Sequence, residues 1–452
     1  MEVTGIAFIF MIIAIVAVGV FEFINGFHDT ANAVATVIYT KTLKPTYAVM
    51  LSGAFNFLGL MVSAKIAVAM GMIKLLPMSD LMGMGYGESI SLVMALLITA
   101  ILWNLGTWYY GIPCSSSHTM IGAILGSGLA FYYVHGGDGV NWDKAKDIGL
   151  SLLISPLFGF SVAIMLMFVL RQLVSNKEIF KQPKEDGSAP PLWIRAILVS
   201  TCSLVSFFHG SNDGQKGVGL LLIILLAFTP IQYSLNSKTF DIQKCKTSIE
   251  KIEKSTVDNH YGAINKEIKA AKAAILSLEA DPNTKERYIL RKNLQKITKT
   301  VETTLEENPN DLKIGTDELK KEVSSFKSYT DFAPTWVKLM VALCLGLGTM
   351  IGYKRIVVTI GEKIGKRHMT YAEGATAELV AASTIGLSTY YGLPVSTTHV
   401  LSSGIAGSMT ASKGVKNLQA GTVKSIVLAW ILTLPVTMTV SFLLYMLFRL
   451  FI

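Results

Sequence analysis

The chain has 452 residues, 51% hydrophobic and 16% charged, with net charge +9 and mean hydropathy +0.48. A soluble protein carries about 25% charged residues, so the composition excludes an ordinary soluble enzyme and points to a polytopic membrane protein. The basic excess lies mainly in membrane-flanking loops and one insert, which argues against a nucleic-acid partner, and the four scattered cysteines form no CxxC pair and so no disulfide or zinc framework.

In chain order, apolar segments fall near 5–40, 46–70, 89–110, 119–134, 148–170, 193–232, 335–352, 371–391, 400–410 and 424–448. About 20 apolar residues cross the hydrocarbon as a helix. The first block lacks a basic start and a small-residue cleavage site, and reads as a retained helix. Segments 5–40 and 193–232 hold polar residues in the middle, which predicts broken helices. Residues 234–332 differ in kind: charges of both signs recur at helical spacing, as in "SIEKIEKS", which predicts an extramembrane helical insert. The predicted division is a first membrane repeat (1–172), a cytoplasmic loop (173–192), the start of a second repeat (193–233), the insert (234–332) and the rest of the second repeat (333–452).

Basic loops at 40–44, 171–184, 353–368 and 412–417 should be cytoplasmic. If each long segment crosses once, both termini and the insert then lie on the outer side.

Two motifs recur. "GFHD" (26–29) is echoed by "GSND" (210–213), and "YYGIPCSSSH" (109–118) by "YYGLPVSTTH" (390–399), each followed eight residues past its histidine by "GS". With the orientation above, the two Gly-Pro motifs enter from opposite sides. The expected fold is an all-α membrane protein with an inverted-topology repeat, broken helices and two re-entrant hairpins.

A proline suits a helix start, so Ser115, Ser116, Ser117 and Ser396, Thr397, Thr398 should occupy first turns, where free N–H groups and hydroxyls make an anion site. Plain helix capping is the ordinary alternative. Asp29 and Asp213 at membrane depth call for a cation, with Asn32, Asn212 and Gln215 as oxygen donors. Lys216 is another partner for these aspartates, or for the substrate, unless it snorkels to the interface. His28, His118, His209 and His399 all fall in the motifs, so a divalent-metal permease or membrane metalloenzyme is a competing reading, although no H-E-x-x-H spacing exists. Proton coupling is a further use of these histidines, with capping and interhelical bonding open for His118 and His399. Glu378 is a candidate coupling carboxylate, though its repeat counterpart is Leu97. Glu22 shares nearly the same helix face as Asp29, but ranks lower because it sits close enough to the expected break to meet water.

"GFHDTANAVATVIYT", "SSSHTMIGAILG", "HGSNDGQKGVGL" and "PVSTTHVLSSGIAG" resemble the signatures of the PiT family of inorganic phosphate transporters, closest to the bacterial low-affinity Pit-type permeases. The resemblance covers 5–232 and 335–450. It implies a symporter of inorganic phosphate and not an enzyme, in a bacterial inner membrane, with no resident cofactor. Phosphate ligands would be Ser115, Ser116, Ser117, Ser396, Thr397 and Thr398, with Thr30 and Asn32 or Gln215 nearby, and cation sites would involve Asp29 and Asp213. The implied partners are phosphate, a coupling cation and the bilayer, with a homodimer left open. Sodium-coupled members carry Asn before the first motif aspartate and Glu in the next helix. Here His28 and Asn56 stand there, which leaves H+, Na+ or a divalent metal–phosphate complex open. A sulfate permease of the same fold is the alternative on the anion side.

Overall fold

The apolar runs fold as helices because a helix satisfies its backbone N–H and C=O groups internally, which hydrocarbon demands. The computed structural model describes residues 5–63, 66–76, 78, 86–137, 139–255, 262–307 and 316–451, with backbone alone at 30–32, 255, 262–263, 306–307 and 316. The helices are α1 (Gly5–Tyr39), α2 (Pro45–Val62), α3 (Ala67–Ile73), α4 (Tyr86–Tyr109), α5 (Ser116–His135), α6 (Trp142–Leu173) and α7 (Leu192–Phe228). Then come α8 (Ile242–Ser255), α9 (Gly262–Ala280), α10 (Glu286–Glu307) and α11 (Thr316–Thr330). The chain ends with α12 (Thr335–Thr349), α13 (Lys354–Glu362), α14 (Tyr371–Tyr390), α15 (Thr397–Lys413) and α16 (Ala420–Phe448). Short helical turns aside, no β-strand occurs among the described residues. Helices α1, α2, α4, α6, α7 and α16 are each long and apolar enough to cross a membrane.

One expectation is corrected. α1 and α7 are continuous helices of 35 and 37 residues, not broken ones. At 1.5 Å per residue each runs about 50 Å. Several of their mid-helix polar side chains, Asp29 and Asn212 among them, find partners on other elements.

The chain divides into two compact units. The first combines Ile9–Pro77, Ile90–Leu221 and Pro334–Ile452, and the second Met1–Phe8, Met78–Ser89 and Leu222–Ala333. The second holds α8 to α11 around their own core, including Cys245, Ile249, Ile268, Leu294 and Phe326.

The first unit buries polar side chains within an apolar core and leaves large apolar side chains on its outside. On α16, Thr433, Thr437 and Ser441 are fully buried at i, i+4 and i+8, while Leu428, Ile431 and Leu443 are exposed. Small and hydroxyl residues pack the helices and the aliphatic face is left for lipid. Ser441 donates to the Ala123 carbonyl of α5 at 2.7 Å.

Glycines set the crossings. A Cβ on Gly26 of α1 would lie 2.3 Å from the Leu345 carbonyl oxygen of α12, and one on Gly348 of α12 would lie 2.0 Å from that of Phe23. The crossing of α7 with α2 is built alike: Gly210 stands 2.0 Å from the Asn56 oxygen and Gly59 2.0 Å from that of Phe207 by the same measure. The "GS" glycines repeat the device, Gly126 against the Met438 oxygen of α16 (2.0 Å) and Gly407 against the Phe160 oxygen of α6 (2.3 Å). Each of these motif glycines therefore packs on the backbone of a helix remote in sequence.

The four basic loops meet at one end. Lys41 donates to the Lys184 carbonyl at 2.6 Å, Arg171 to those of Ala411 and Ser412 at 3.1 and 3.2 Å, and Gln182 to that of His368 at 2.8 Å. The Lys366 N–H reaches the Asn417 carbonyl at 2.8 Å.

Candidate substrate and coupling-ion site

Both Gly-Pro motifs turn at a glycine with positive φ, Gly111 (66°) and Gly392 (70°), the left-handed region that suits a residue without Cβ. The chain then runs extended through Pro113 and Pro394 to helix starts at Ser116 and Thr397. This refines the expected geometry. The prolines precede the helices instead of opening them, and Ser115 and Ser396 are N-caps, accepting from the His118 and His399 N–H groups at 3.2 and 3.1 Å. Their oxygens serve their own helices. The next hydroxyls point elsewhere.

Ser116 Oγ donates to Asp29 Oδ2 at 2.5 Å, and Thr398 Oγ1 donates to Asp29 Oδ1 at 2.7 Å. The two helix starts, 281 residues apart in register, thus converge on one buried carboxylate of α1. His28 Nδ1 lies 3.2 Å from Asp29 Oδ1, and its Nε2 lies 3.2 Å from Thr107 Oγ1 of α4. Asp213 is held from the other side. Lys216, 2% exposed, donates to Asp213 Oδ1 at 2.8 Å, to Ser117 Oγ at 2.5 Å and to the Val395 carbonyl at 2.8 Å. The lysine does not snorkel; it joins both Gly-Pro motifs to the second acidic motif. Ser117 in turn donates to the Val395 carbonyl at 3.0 Å. Thr397 Oγ1 is buried without a partner.

Asp29, His209 and Asp213 bring one ligand atom each within 4.8 Å of one another. His209 Nδ1 bonds Asn56 Oδ1 at 2.9 Å, and Asn56 donates to Thr349 of α12 at 2.8 Å. This leaves His209 Nε2 facing Asp213 Oδ2 at 3.8 Å, neither with a hydrogen-bond partner. Two carboxylate oxygens and an imidazole nitrogen form a donor set suited to a cation.

Other predicted residues lie apart. Asn212 donates to Thr389 Oγ1 and the Leu393 carbonyl at 2.9 and 3.2 Å, fixing the turn before α15. Gln215 binds Ser63, the Ser211 carbonyl and the Val68 N–H, so its amide is engaged near the α2–α3 link. His118 and His399 face each other, ring centroids 4.5 Å apart, and Trp430 lies 4.0 Å from His399. They border a cavity of about 440 Å³ with apolar residues of α6 and α16, so the four motif histidines split into two pairs. Glu378 accepts from Thr36 of α1 and Thr201 of α7. Thr36 is seven residues from Asp29, about 10 Å by helix rise. The side chains of Thr30 and Asn32 lie outside the described residues.

Sequence reasoning missed the Thr36 and Thr201 clamps and the Asn56–His209 bond. The heptad spacing of Thr36 from Asp29 was the available signal for the first; nothing in the sequence paired Asn56 with His209.

Membrane-length helices around a buried centre of carboxylates, one ammonium and helix-start hydroxyls define a transporter. A family model described as the phosphate transporter family matches residues 25–441, and the chain belongs to that family. It is 38% identical to the low-affinity inorganic phosphate transporter PitA of Escherichia coli (strain K12) over 95% of each chain. It is also 38% identical to the low-affinity inorganic phosphate transporter of Buchnera aphidicola subsp. Acyrthosiphon pisum (strain APS) over 94% of each. A solved structure, that of a sodium-dependent phosphate transporter, matches with a TM-score of 0.63 at 18% identity, covering 98% of this chain and 100% of that one; at such identity the likeness concerns the fold.

Proposed function

We propose that this chain is a secondary active symporter that carries inorganic phosphate on a cation gradient, built from two inverted halves with re-entrant Gly-Pro hairpins. The observation that carries the reading is the convergence of Ser116 and Thr398, from the two hairpin helices, on Asp29. These hydroxyls cannot donate to Asp29 and to phosphate at once. A cation among Asp29, His209 and Asp213 would take over the charge of Asp29 and release both hydroxyls, with Thr397 and the helix-start N–H groups, to an oxyanion. Anion binding would thereby depend on cation binding, which is symport. Lys216 supplies positive charge beside Ser117 at the same place.

The family and its relatives support phosphate over sulfate. A divalent metal carried with phosphate keeps one observation in its favour, the imidazole in the cation set. The gathering of the basic loops at one end supports a cytoplasmic position for that end, and with it the reading that both termini lie on the outer side.

The test is radiolabelled phosphate uptake into proteoliposomes, under a sodium gradient and then a proton gradient, with unlabelled sulfate as competitor. Phosphate should accumulate under one of the gradients, and sulfate should not compete. Asp29→Asn and Asp213→Asn should abolish coupled uptake while inserting normally. Wild-type uptake by either variant would remove the aspartates from the mechanism.

A further inference from the structure

Glu22 on α1 is fully buried, and α1 has no break that would bring it water. Other buried carboxylates of these helices are well supplied: Asp29 receives two hydroxyls, Asp213 an ammonium and Glu378 two hydroxyls. Glu22 has a single long contact, Asn25 Nδ2 to Oε2 at 3.4 Å, while its Oε1 has no partner. Asn25 Oδ1 is also buried and unpartnered. An ionised carboxylate in this condition at membrane depth is costly, whereas a neutral acid is not.

The surroundings select the cation. A Cβ on Gly217 of α7 would fall 2.4 Å from both Cδ and Oε1 of Glu22, so the carboxyl lies directly on bare helix backbone, one residue past Lys216. A metal ion needs a shell of several oxygens, and among the described residues Glu22 belongs to no group of three or more His, Cys, Asp or Glu ligands. One hydrogen on the carboxyl, by contrast, supplies a donor that Asn25 Oδ1 lacks. The charged and titratable groups that act on Glu22 are Asp29 on its own helix, Asp213 and Lys216 of α7, and Cys344 of α12. Lys216 is already committed to Asp213, Ser117 and Val395. Glu22, Asp29 and Thr36 also stand seven residues apart, so Glu22, Asp29 and Thr36-bound Glu378 mark about 20 Å of one face of α1.

We propose that Glu22 is a proton-carrying residue of the transport cycle: its carboxyl takes a proton from water on one side, holds it against Gly217 while α1 and α7 are packed, and returns it to water on the other. Only one O–H bond forms and breaks. This rests on the phosphate-symport reading and extends it by naming the proton and its carrier.

The experiment uses full-length protein in proteoliposomes and inorganic phosphate. Wild type is first assayed for exchange of labelled against unlabelled phosphate. No exchange would sink the symport reading itself, and this inference with it, before any variant is read. Glu22→Gln, which keeps shape and removes the titrating group, should continue to exchange phosphate. Its proton movement per phosphate, read with an enclosed pH dye, should fall by one. With one coupled proton fewer, accumulation under a gradient of about one pH unit should fall about tenfold. Glu22→Asp should restore proton-driven accumulation with a shifted pH profile. Three results overturn the proposal: unchanged protons per phosphate in Glu22→Gln, wild-type uptake that moves sodium and no protons, or loss of exchange together with accumulation in a Glu22→Gln protein that Glu22→Asp does not rescue.

Discussion

Lys216 shows how one residue is made tolerable where its charge is expensive. A buried ammonium survives at membrane depth only with paired and hydrogen-bonded surroundings, and Asp213, Ser117 and the Val395 carbonyl provide them. Removing one member strands the other. Lys216→Gln should therefore destabilise the protein by about 3–5 kcal/mol, the usual cost of leaving a buried charge unpaired. Asp213→Asn/Lys216→Gln should recover at least about 2 kcal/mol of that loss, since no ion is then stranded. Thermal unfolding in detergent of both singles and the double gives the coupling energy, and additive losses would mean that the pair is not a unit. At this scale the sequence was informative wherever a motif was duplicated. Ser116 and Thr398 stood out as anion ligands because each lies in a recurring pattern, but their bonds to Asp29 were not legible. Glu22 could not be placed, because hydropathy shows that a segment is apolar without showing which face meets water, and the presumed break beside it does not exist. The choice of cap over ligand for Ser115 and Ser396 was equally closed to sequence, since both roles use the same hydroxyl.

Helix crossings explain why the motif glycines recur. Gly26 and Gly210 do not relax the backbone for a break; they let α1 settle on α12 and α7 on α2 with a carbonyl oxygen where a Cβ would be. Gly126 and Gly407 do the same for α5 on α16 and α15 on α6. Close backbone approach of this kind holds membrane helices together where the hydrophobic effect cannot. Gly126→Ala and Gly407→Ala should each cost about 1–3 kcal/mol, because backbone cannot yield as a side chain does. Gly106→Ala on α4 is the control: nothing lies within 4 Å of its Cβ, so the substitution should be neutral or stabilise by up to about 1 kcal/mol through helix propensity. Melting temperatures of the three variants, read side by side, check this, and equal effects would show that crowding is not what matters. The order of helices was legible from hydropathy, and the recurring motifs picked out the glycines. The helices those glycines pack on were not legible, because a short motif records its own backbone needs and says nothing of the carbonyl it packs on.

At the scale of the whole molecule the sequence distinguished two kinds of chain, and the structure gives each its own core. The basic loops were legible as one set, and they touch one another at one end. Mixed charges made the insert legible as helical, and every member of its core cluster lies between Leu235 and Tyr329. Its surface ion pairs, such as Lys246–Glu279 and Lys296–Glu267, are exposed enough to contribute little. The core must then supply its stability, and residues 234–332 expressed alone should fold as a soluble helical protein with one cooperative thermal transition. Its acid sensitivity has an identifiable source. Burial acts to raise the pKa of Glu322, but bonds from Lys251 (2.8 Å) and Ser248 (2.5 Å) outweigh it and hold the carboxyl below its ordinary value of 4.5. A carboxylate depressed in the fold contributes stability above its unfolded value and loses it as pH falls through the folded one. The fragment should therefore keep its stability down to about pH 4.5 and lose part of it below, with Glu322→Gln flattening that decline. Circular dichroism melts of the fragment between neutral and acid pH test both points: a non-cooperative melt at neutral pH would show that the insert depends on the rest of the chain, and an identical acid decline in Glu322→Gln would move its cause to other carboxylates.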